Sequence, residues 1–227
     1  MLSSVTSKRI SAIIPAAGAN TRLTGTVAPF LKPTILHNGK PLIQHAYEHA
    51  WNEWNVPQDQ THIVVSPNNA AILPQLFPLD TEAQFILQPE VTGIIDAIKR
   101  GLLGINTEWT LILCADNVFR LKPSNPLNDN LVPMFGARFL KAKDAQRFTT
   151  FNHNTFLSAG AQPPSLDSST FPMTCWIGPL LLPTETLIRF LYKNESITTV
   201  LNQIHNVNPI YPHHMECSDM GVPEELL

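Results

Sequence analysis

Two cations in one loop have the side chains and the spacing for phosphate chemistry. Arg22 and Lys32 lie in the segment PAAGANTRLTGTVAPFLKP, residues 15–33, which follows a short apolar run. An arginine guanidinium can hold phosphate oxygens in a fork, whereas a lysine ammonium is a point charge that can follow a developing negative charge. This pair suits a polyphosphate, although two solvated surface cations would leave the same pattern.

The first residues of the same loop are small. Ala16, Ala17, Gly18 and Ala19 let the backbone approach a ligand, and their N–H groups, with that of Asn20, can face phosphate oxygens. The segment is not a Walker loop, because no Gly-Lys-Ser/Thr follows, and it is not a GxGxxG dinucleotide turn. On the residues alone it is a nucleotide-binding turn of another kind or an ordinary turn.

Asp116 is a candidate metal ligand. It follows the apolar run WTLILCA, which indicates a buried strand. A carboxylate at the end of a buried strand is costly unless it is paired, bound to a metal or used to cap a turn. Mg²⁺ takes hard oxygen ligands, usually one or two carboxylates with phosphates and waters. The carboxylate of Asp116 suits such an ion, although an aspartate that caps a turn would show the same sequence pattern.

Strands and helices that could position these residues alternate through the first half of the chain. Strands are predicted at 10–15, 61–66, 84–87 and 109–114, with helices at 41–54, 69–77 and 93–103, the first with Pro41 in its first turn. The second half is less regular, with strands predicted at 135–140, 147–151 and 174–182, helices at 184–192 and 196–204, and a last turn at 223–227. The alternation predicts an α/β fold with parallel strands, in which ligands collect beyond the carboxyl ends of the strands.

The composition excludes several classes of protein. The chain has 227 residues, 44% of them hydrophobic and 15% charged, with a net charge of −3. We therefore expect one domain and no nucleic-acid partner, because the Lys and Arg residues are dispersed. No apolar run is long enough for a membrane span, and a signal peptide is not expected. Three cysteines without CxxC spacing favour reduced thiols and a cytoplasmic location.

The loop at 15–33 resembles the signature of sugar-phosphate nucleotidyltransferases, Ala-Ala-Gly-x-Gly-Thr-Arg-Leu followed by Pro-Lys-Pro. The second glycine is replaced by Asn20 and the first proline by Leu31, and Gly39-Lys40-Pro41-Leu42-Ile43 is also similar to the family's stretch before its first helix. The matching residues are Ala16, Ala17, Gly18, Thr21, Arg22, Leu23, Lys32 and Pro33.

Three further segments match the family in the same order. QPEVTGIIDA at 88–97 resembles Gln-x-x-x-x-Gly-Leu-Ala-x-Ala, CADNVF at 114–119 is similar to the Gly-Asp-Asn strand end, and SDMGVPE at 218–224 resembles Asp-x-Gly-Thr-Pro-Glu. The resemblance implies a single-domain, Rossmann-like nucleotidyltransferase fold over 1–227, with a mixed, mostly parallel sheet flanked by helices. The nucleotide-binding half would span about 8–120 and the acceptor-binding half about 121–227.

The resemblance also implies the reaction and the roles. An acceptor phosphate attacks the α-phosphorus of a nucleoside triphosphate, dTTP or UTP, and pyrophosphate leaves. Arg22 would bind the leaving pyrophosphate, and Lys32 would bind the α-phosphate and the incoming phosphate. Asp116 and Asp219 would hold Mg²⁺, and Gln88 and Gly93 would contact the base. The nucleotide would also be held by the backbone of Ala16, Ala17, Gly18, Ala19 and Asn20. A side-chain amide offers both a donor and an acceptor to an imide edge.

The acceptor side departs from the family's sugar-specific members. Those members have an Arg-Tyr-Gly-Val-Val-type stretch followed by Glu-Lys-Pro, and the apparent counterparts here are RFTTF at 147–151 and AQP at 161–163. The glycine, the sugar-contacting glutamate and the phosphate-contacting lysine are missing. Arg138 or Arg147 could replace that lysine. The acceptor is then a sugar 1-phosphate or a similar small phosphorylated compound. The alternatives are a cytidylyltransferase acting on phosphocholine or another non-sugar phosphate or phosphonate, and a non-catalytic nucleotide-binding homologue. A glycosyltransferase would need an Asp-x-Asp motif, which is absent at Asp116. A homo-oligomer is compatible with the sequence.

Overall fold

A computed structural model describes residues 10–18, 29–120, 131–140, 145, 148–152, 154–158, 173–214 and 216–219, with the backbone alone at 29–31, 119–120, 214 and 216–219. The strands are β1 Ile10–Pro15, β2 Leu36–His37, β3 Lys40–Pro41, β4 Thr61–Val65, β5 Gln84–Leu87, β6 Trp109–Ile112, β7 Asn117–Arg120, β8 Met134–Leu140, β9 Thr150–Asn152, β10 Thr155–Leu157, β11 Met173–Pro183, β12 Tyr211–His214 and β13 Glu216–Asp219. The helices are α1 Leu42–Trp54, α2 Ile94–Gly101, α3 Thr184–Leu191 and α4 Ile197–Val207, with 3₁₀ helices at Pro29–Thr34, Gln58–Gln60 and Leu73–Leu76.

The main sheet runs in the order β10-β9-β11-β6-β1-β4-β5, with β8 beside β11 and β12 beside β8. Strand β1 is parallel to both β4 and β6, and β4 is parallel to β5. Strand β11 joins this parallel group from the other side by running antiparallel to β6. This is the predicted α/β fold with a mixed sheet flanked by helices. The chain leaves β1 toward β4 and returns to its other side as β6, which makes the carboxyl ends of β1 and β6 a switch point where ligands collect.

Strand β1 is apolar on both faces because helices cover both faces of the sheet. Ile13 belongs to one buried cluster with residues of α2, α3 and α4, such as Ile98 and Leu201. Ala12 and Ile14 belong to the other cluster, together with residues of α1. Each fully buried isoleucine contributes about 1.5–3 kcal/mol through removal of its side chain from water. The apolar run ISAIIP is thus a central strand that fixes where the following loop begins.

Helix α1 begins one residue later than the sequence predicts. Pro41 is the N-cap residue in an extended conformation (φ −56°, ψ 141°), not part of the first turn. The reason is that Pro41 pairs with Leu36 in the small β2–β3 hairpin, whose turn uses Asn38 and Gly39 at positive φ. Within α1, the buried His49 accepts a hydrogen bond through Nε2 from the indole of Trp54 at 3.2 Å, and burial lowers the pKa of His49 to about 4.

Helix α2 packs against β1 closely enough at Gly101 to leave no room for a side chain there. A Cβ added to Gly101 would lie 2.5 Å from Cγ2 of Ile13, well inside the roughly 3.5–4 Å of an ordinary carbon–carbon contact. The carbonyl of Gly101 also accepts a hydrogen bond from the buried His62 Nδ1 at 2.5 Å. These contacts fix the carboxyl end of α2, and thereby the direction in which its first turn points.

The predicted helix at 69–77 is wrong in type and length. The chain forms turns and then the 3₁₀ helix Leu73–Leu76, which has Pro74 near its start. Proline lacks an N–H and restricts the residue before it, so a continuous α-helix through this segment is disfavoured. The predicted last turn at 223–227 lies outside the described residues. Within the described part of the chain, no helix is both long enough and apolar enough to cross a membrane.

Candidate active site

A cleft of about 440 Å³ opens at the carboxyl ends of β1 and β6. Its walls come from the loop 15–18, from Lys32 and Pro33, from positions between 88 and 97, and from the turn 114–116. These are the segments in which the sequence placed candidate residues. Gln88, Gly93, Lys32 and Asp116 all contribute to the lining, as do Ala16, Ala17 and Gly18. Arg22, Ala19 and Asn20 lie outside the described residues.

The loop after β1 is held by its first residue. The N–H of Ala16 donates to the carbonyl of Val64 at 2.8 Å, and the carbonyl of Ala16 accepts from Nδ2 of Asn69 at 2.8 Å. The N–H of Ala16 is therefore used by the neighbouring strand and is not available for a phosphate. Ala16 contributes a small side chain to the wall, while donors for a ligand must come from later residues such as the exposed Gly18.

Asn69 is a positioning residue that the sequence did not reveal. It is fully buried, and its Oδ1 accepts the N–H of Ser66 at 2.8 Å while its Nδ2 reaches Ala16. One amide thus connects the turn after β4 to the loop after β1. The sequence signal was the run Ser-Pro-Asn-Asn, because asparagine readily bonds to nearby backbone groups in turns.

Lys32 and Asp116, 84 positions apart, form an ion pair in the cleft through Nζ and Oδ2. Lys32 extends from the 3₁₀ helix Pro29–Thr34 and is buried, while Asp116 is half-buried in the turn after β6. A part-buried pair of this kind is weakly screened by solvent. Each charge is also suited to a partner from a ligand, since an ammonium can bind phosphate oxygens and a carboxylate can bind a metal ion.

Asn117 fixes the turn that carries Asp116. Its buried side chain donates through Nδ2 to the carbonyl of Ile177 in β11, and its N–H donates to the carbonyl of Cys114 at 3.2 Å. Strand β7, which begins at Asn117, pairs antiparallel with β13, and the register places Asp219 opposite Asn117. The backbone of Asp219 is therefore brought beside the residue that follows Asp116. Among the described side chains, no group of three or more His, Cys, Asp or Glu could hold a metal ion.

Gln88 is buried at the end of β5, where its N–H donates to the carbonyl of Val65 at 2.7 Å. Its side-chain Nε2 donates to Oδ2 of Asp96 at 2.9 Å and lies 3.3 Å from the carbonyl of Gly93. Asp96 in turn accepts from Nε of Arg100 at 2.8 Å. Desolvation acts to raise the pKa of Asp96, but its hydrogen bonds, from Arg100 foremost, outweigh this effect and the pKa is lowered.

Gly93 is the N-cap residue of α2, with φ 109° and ψ −177°. This region of backbone conformation is essentially restricted to glycine. A Cβ added there would meet no atom within 4 Å, so the backbone conformation, not space, requires the glycine. The exposed Gly93 thus leaves one wall of the cleft flat at the start of the helix.

Of the two candidate cations for the acceptor's phosphate, the structure describes Arg138 but does not bring it to the cleft. Arg138 is half-buried in β8, opposite Cys175 of β11, and is not among the residues that line the cleft. Arg147 lies outside the described residues, as do positions 161–163. Cys114, by contrast, lines the cleft and is partly exposed, a position that the sequence did not suggest for it.

Comparison with solved structures supports the fold. The chain is similar to a UDP-glucose pyrophosphorylase from Acinetobacter baumannii, with a TM-score of 0.71, 12% sequence identity, and coverage of 96% of this chain and 90% of that chain. It is also similar to a UTP-bound UGPase from Acinetobacter baumannii, with a TM-score of 0.72, 12% identity, and coverage of 96% of this chain and 90% of that chain. No curated protein sequence matches the chain.

The family is identified by the sequence of the first half. The model of the family described as "Nucleotidyl transferase" matches residues 11–130, which is more than half of the chain and includes Lys32, Gln88, Asp116 and all of β1 but its first residue. These are the segments that surround the cleft. The chain belongs to the nucleotidyl transferase family.

Proposed function

We propose that this protein transfers a nucleoside monophosphate from dTTP or UTP to a sugar 1-phosphate or a similar small phosphorylated acceptor and releases pyrophosphate. The observation that carries the proposal is the pairing of Lys32 with Asp116 in a cleft that Gln88 also lines. A cation, a metal-binding carboxylate and an amide for a base are the groups that a bound triphosphate requires. Nucleotidyl transfer needs positioning and charge neutralisation and little covalent chemistry from the protein.

In the proposed mechanism each group of the cleft contacts a different part of the nucleoside triphosphate. Lys32 contacts the α-phosphate and stabilises the charge that grows as an acceptor phosphate oxygen attacks phosphorus in line with the leaving pyrophosphate. Arg22 is proposed to hold that pyrophosphate. The loop after β1 supports the triphosphate through its small residues, and Gln88 and Gly93 position the base.

Asp116 fits Mg²⁺ because it offers hard carboxylate oxygens at the cleft surface and is half-buried rather than enclosed. Asp219 is proposed as the second carboxylate, which the β7–β13 register supports by placing its backbone opposite Asn117. Bound there, Mg²⁺ would neutralise phosphate charge. Lys32, whose ammonium reaches the same part of the cleft, would add its charge to the phosphate oxygens.

The proposal is tested by pyrophosphate release with Mg²⁺, each of the common nucleoside triphosphates, and a panel of acceptors containing hexose 1-phosphates and phosphocholine. We expect turnover with dTTP or UTP and a sugar phosphate. Turnover restricted to CTP with phosphocholine would replace this proposal by the cytidylyltransferase alternative. Absence of release with every pair would refute catalysis of this reaction and favour the alternative of a non-catalytic nucleotide-binding homologue.

Lys32→Met and Lys40→Met form a matched pair of variants, to be assayed with the nucleoside triphosphate and the acceptor that give turnover. Lys40 also pairs with a carboxylate, Glu48, at 2.5 Å, but it does not line the cleft. Lys32→Met should lower kcat by about 10²- to 10³-fold, the usual effect of removing one group that stabilises transition-state charge. Lys40→Met should stay within about twofold of the original enzyme, since an exposed ion pair adds little. Equal losses in both variants would refute the role of Lys32.

A further inference from the structure

The amide of Gln88 has a fixed orientation in the cleft. An amide nitrogen carries two hydrogens, and Nε2 of Gln88 lies 2.9 Å from Oδ2 of Asp96, 3.3 Å from the carbonyl of Gly93 and 3.4 Å from Oγ1 of Thr92. A carboxylate and a carbonyl can only accept hydrogen bonds, so the nitrogen and not the oxygen must face them. Both hydrogens of Nε2 are therefore used within the protein.

Asp96 is held in its charged, accepting form. It lies in the first turn of α2, where the helix dipole favours a negative charge, and it pairs with Arg100 one turn later at 2.8 Å. Desolvation acts to raise the pKa of Asp96, but the hydrogen bonds from Arg100, Gln88 and Thr92 and the charge of Arg100 hold it below its usual range. At neutral pH Asp96 therefore accepts the Gln88 hydrogen bond and does not donate.

We propose that Asp96 is a positioning residue for base recognition: it holds Nε2 of Gln88, so that Gln88 offers only its carbonyl oxygen to the nucleobase. This inference rests on the proposed function, in which Gln88 contacts the base. A carbonyl oxygen accepts one hydrogen bond from a ring N–H, which the imide of uracil and thymine presents at N3. Under this proposal Gln88 recognises the base through a single acceptor, whereas the sequence led us to expect both a donor and an acceptor.

Asp96 also affects every triphosphate through its charge. Removing one negative charge near the cleft strengthens the binding of any polyphosphate, whatever its base. This contribution cancels in the ratio of affinities for two nucleotides that differ only at N3. The dissociation constant of N3-methyl-UTP divided by that of UTP therefore isolates the hydrogen bond to the base.

The test is isothermal titration calorimetry of UTP and N3-methyl-UTP, each with Mg²⁺, against the full chain and two variants. The original protein should bind UTP at least about tenfold more tightly, because methylation removes the N3 donor and leaves a buried acceptor without a partner. In Asp96→Ala this ratio should fall roughly 2- to 12-fold, the range that corresponds to one neutral hydrogen bond. Glu90→Gln removes an exposed charge from the same loop and should keep the original ratio.

Turnover adds a second readout. Asp96→Ala should raise the KM for UTP relative to that for N3-methyl-UTP with kcat unchanged at saturation, since the contact to the base is made equally in the ground and transition states. If Asp96→Ala does not fold, as judged by circular dichroism, Asp96→Asn retains the size and an accepting oxygen but can rotate, and its ratio should lie between the two.

The outcomes separate this inference from the proposed function. A ratio near one in the original protein, or an unchanged ratio in a folded Asp96 variant, overturns the positioning role while nucleotide binding stands. Failure of the original protein to bind any nucleoside triphosphate overturns the proposed function and this inference with it.

Discussion

Replacing Gly101 with alanine should destabilise the protein through a clash with Ile13. The new Cβ would lie 2.5 Å from Cγ2 and 3.2 Å from both Cδ1 and Cγ1 of Ile13, whose side chain is fully buried and branched at Cβ and so has little room to rotate. Overpacking a core costs about 1–3 kcal/mol, whereas alanine in place of a helical glycine gains at most about 1 kcal/mol. The clash should prevail, with a net loss of about 1–2 kcal/mol.

Urea unfolding followed by circular dichroism measures this change, and thermal unfolding should show a decrease of about 2–8 °C for a chain of this size. The double-mutant cycle with Ile13→Ala identifies the cause, because that substitution removes all three atoms that the new Cβ would meet. In the Ile13→Ala background, Gly101→Ala should cost nothing. A Gly101→Ala protein as stable as the original, or a penalty that persists without the Ile13 side chain, would refute the clash.

Three further predictions concern pH, backbone strain and thiol reactivity. Because burial lowers the pKa of His49 from 6.5 to about 4, the unfolded chain binds a proton that the native state does not, and stability should fall by about 2 kcal/mol as the pH decreases from 7.5 to 5. Urea unfolding of His49→Gln, which does not titrate there, should lack that fall. Gly93→Ala should lose about 1–3 kcal/mol and nucleotide affinity, whereas Gly39→Ala, at another positive φ (76°) but outside the cleft, should lose stability and retain affinity in calorimetry. Iodoacetamide should modify Cys114 before the buried Cys175, because burial raises the pKa of Cys175 to about 12. Peptide mapping measures the two rates, and Mg²⁺ with UTP should slow the labelling of Cys114. Faster labelling of Cys175 than of Cys114 would contradict the placement of the two thiols.

The parallel part of the fold was predictable because its elements are local and strongly patterned. The strands at Ile10–Pro15 and Gln84–Leu87 match their predicted bounds, and helix α1 was misplaced only by the hairpin pairing of Pro41. The convergence of the loop after β1 and the turn after β6 followed from the sequence, since both were placed beyond the carboxyl ends of parallel strands. The ion pair between Lys32 and Asp116 did not.

Other features depend on tertiary contacts that leave little trace in the sequence. Strand β12 contains Pro212 and two histidines, so neither its composition nor its alternation predicts the pairing with β8. The bonds of Asn69 and Asn117 connect separate elements, and an asparagine that bridges two loops has the same sequence appearance as one in a solvent-exposed turn. The orientation of the Gln88 amide also leaves no trace in the sequence, because it depends on Asp96 across a helix terminus.

The pairing of β7 with β13 has a consequence for local unfolding of the protein. The two strands lie about a hundred positions apart in the chain, so their ladder closes a long loop and has a high entropic cost. The nine-stranded sheet does not include them, and the turn at Asp116 is anchored to that sheet through the Asn117 bond to β11. We therefore expect the two-stranded ribbon to open as a unit while the sheet stays folded, with the amides of β7 and β13 exchanging hydrogen together and sooner than those of β1.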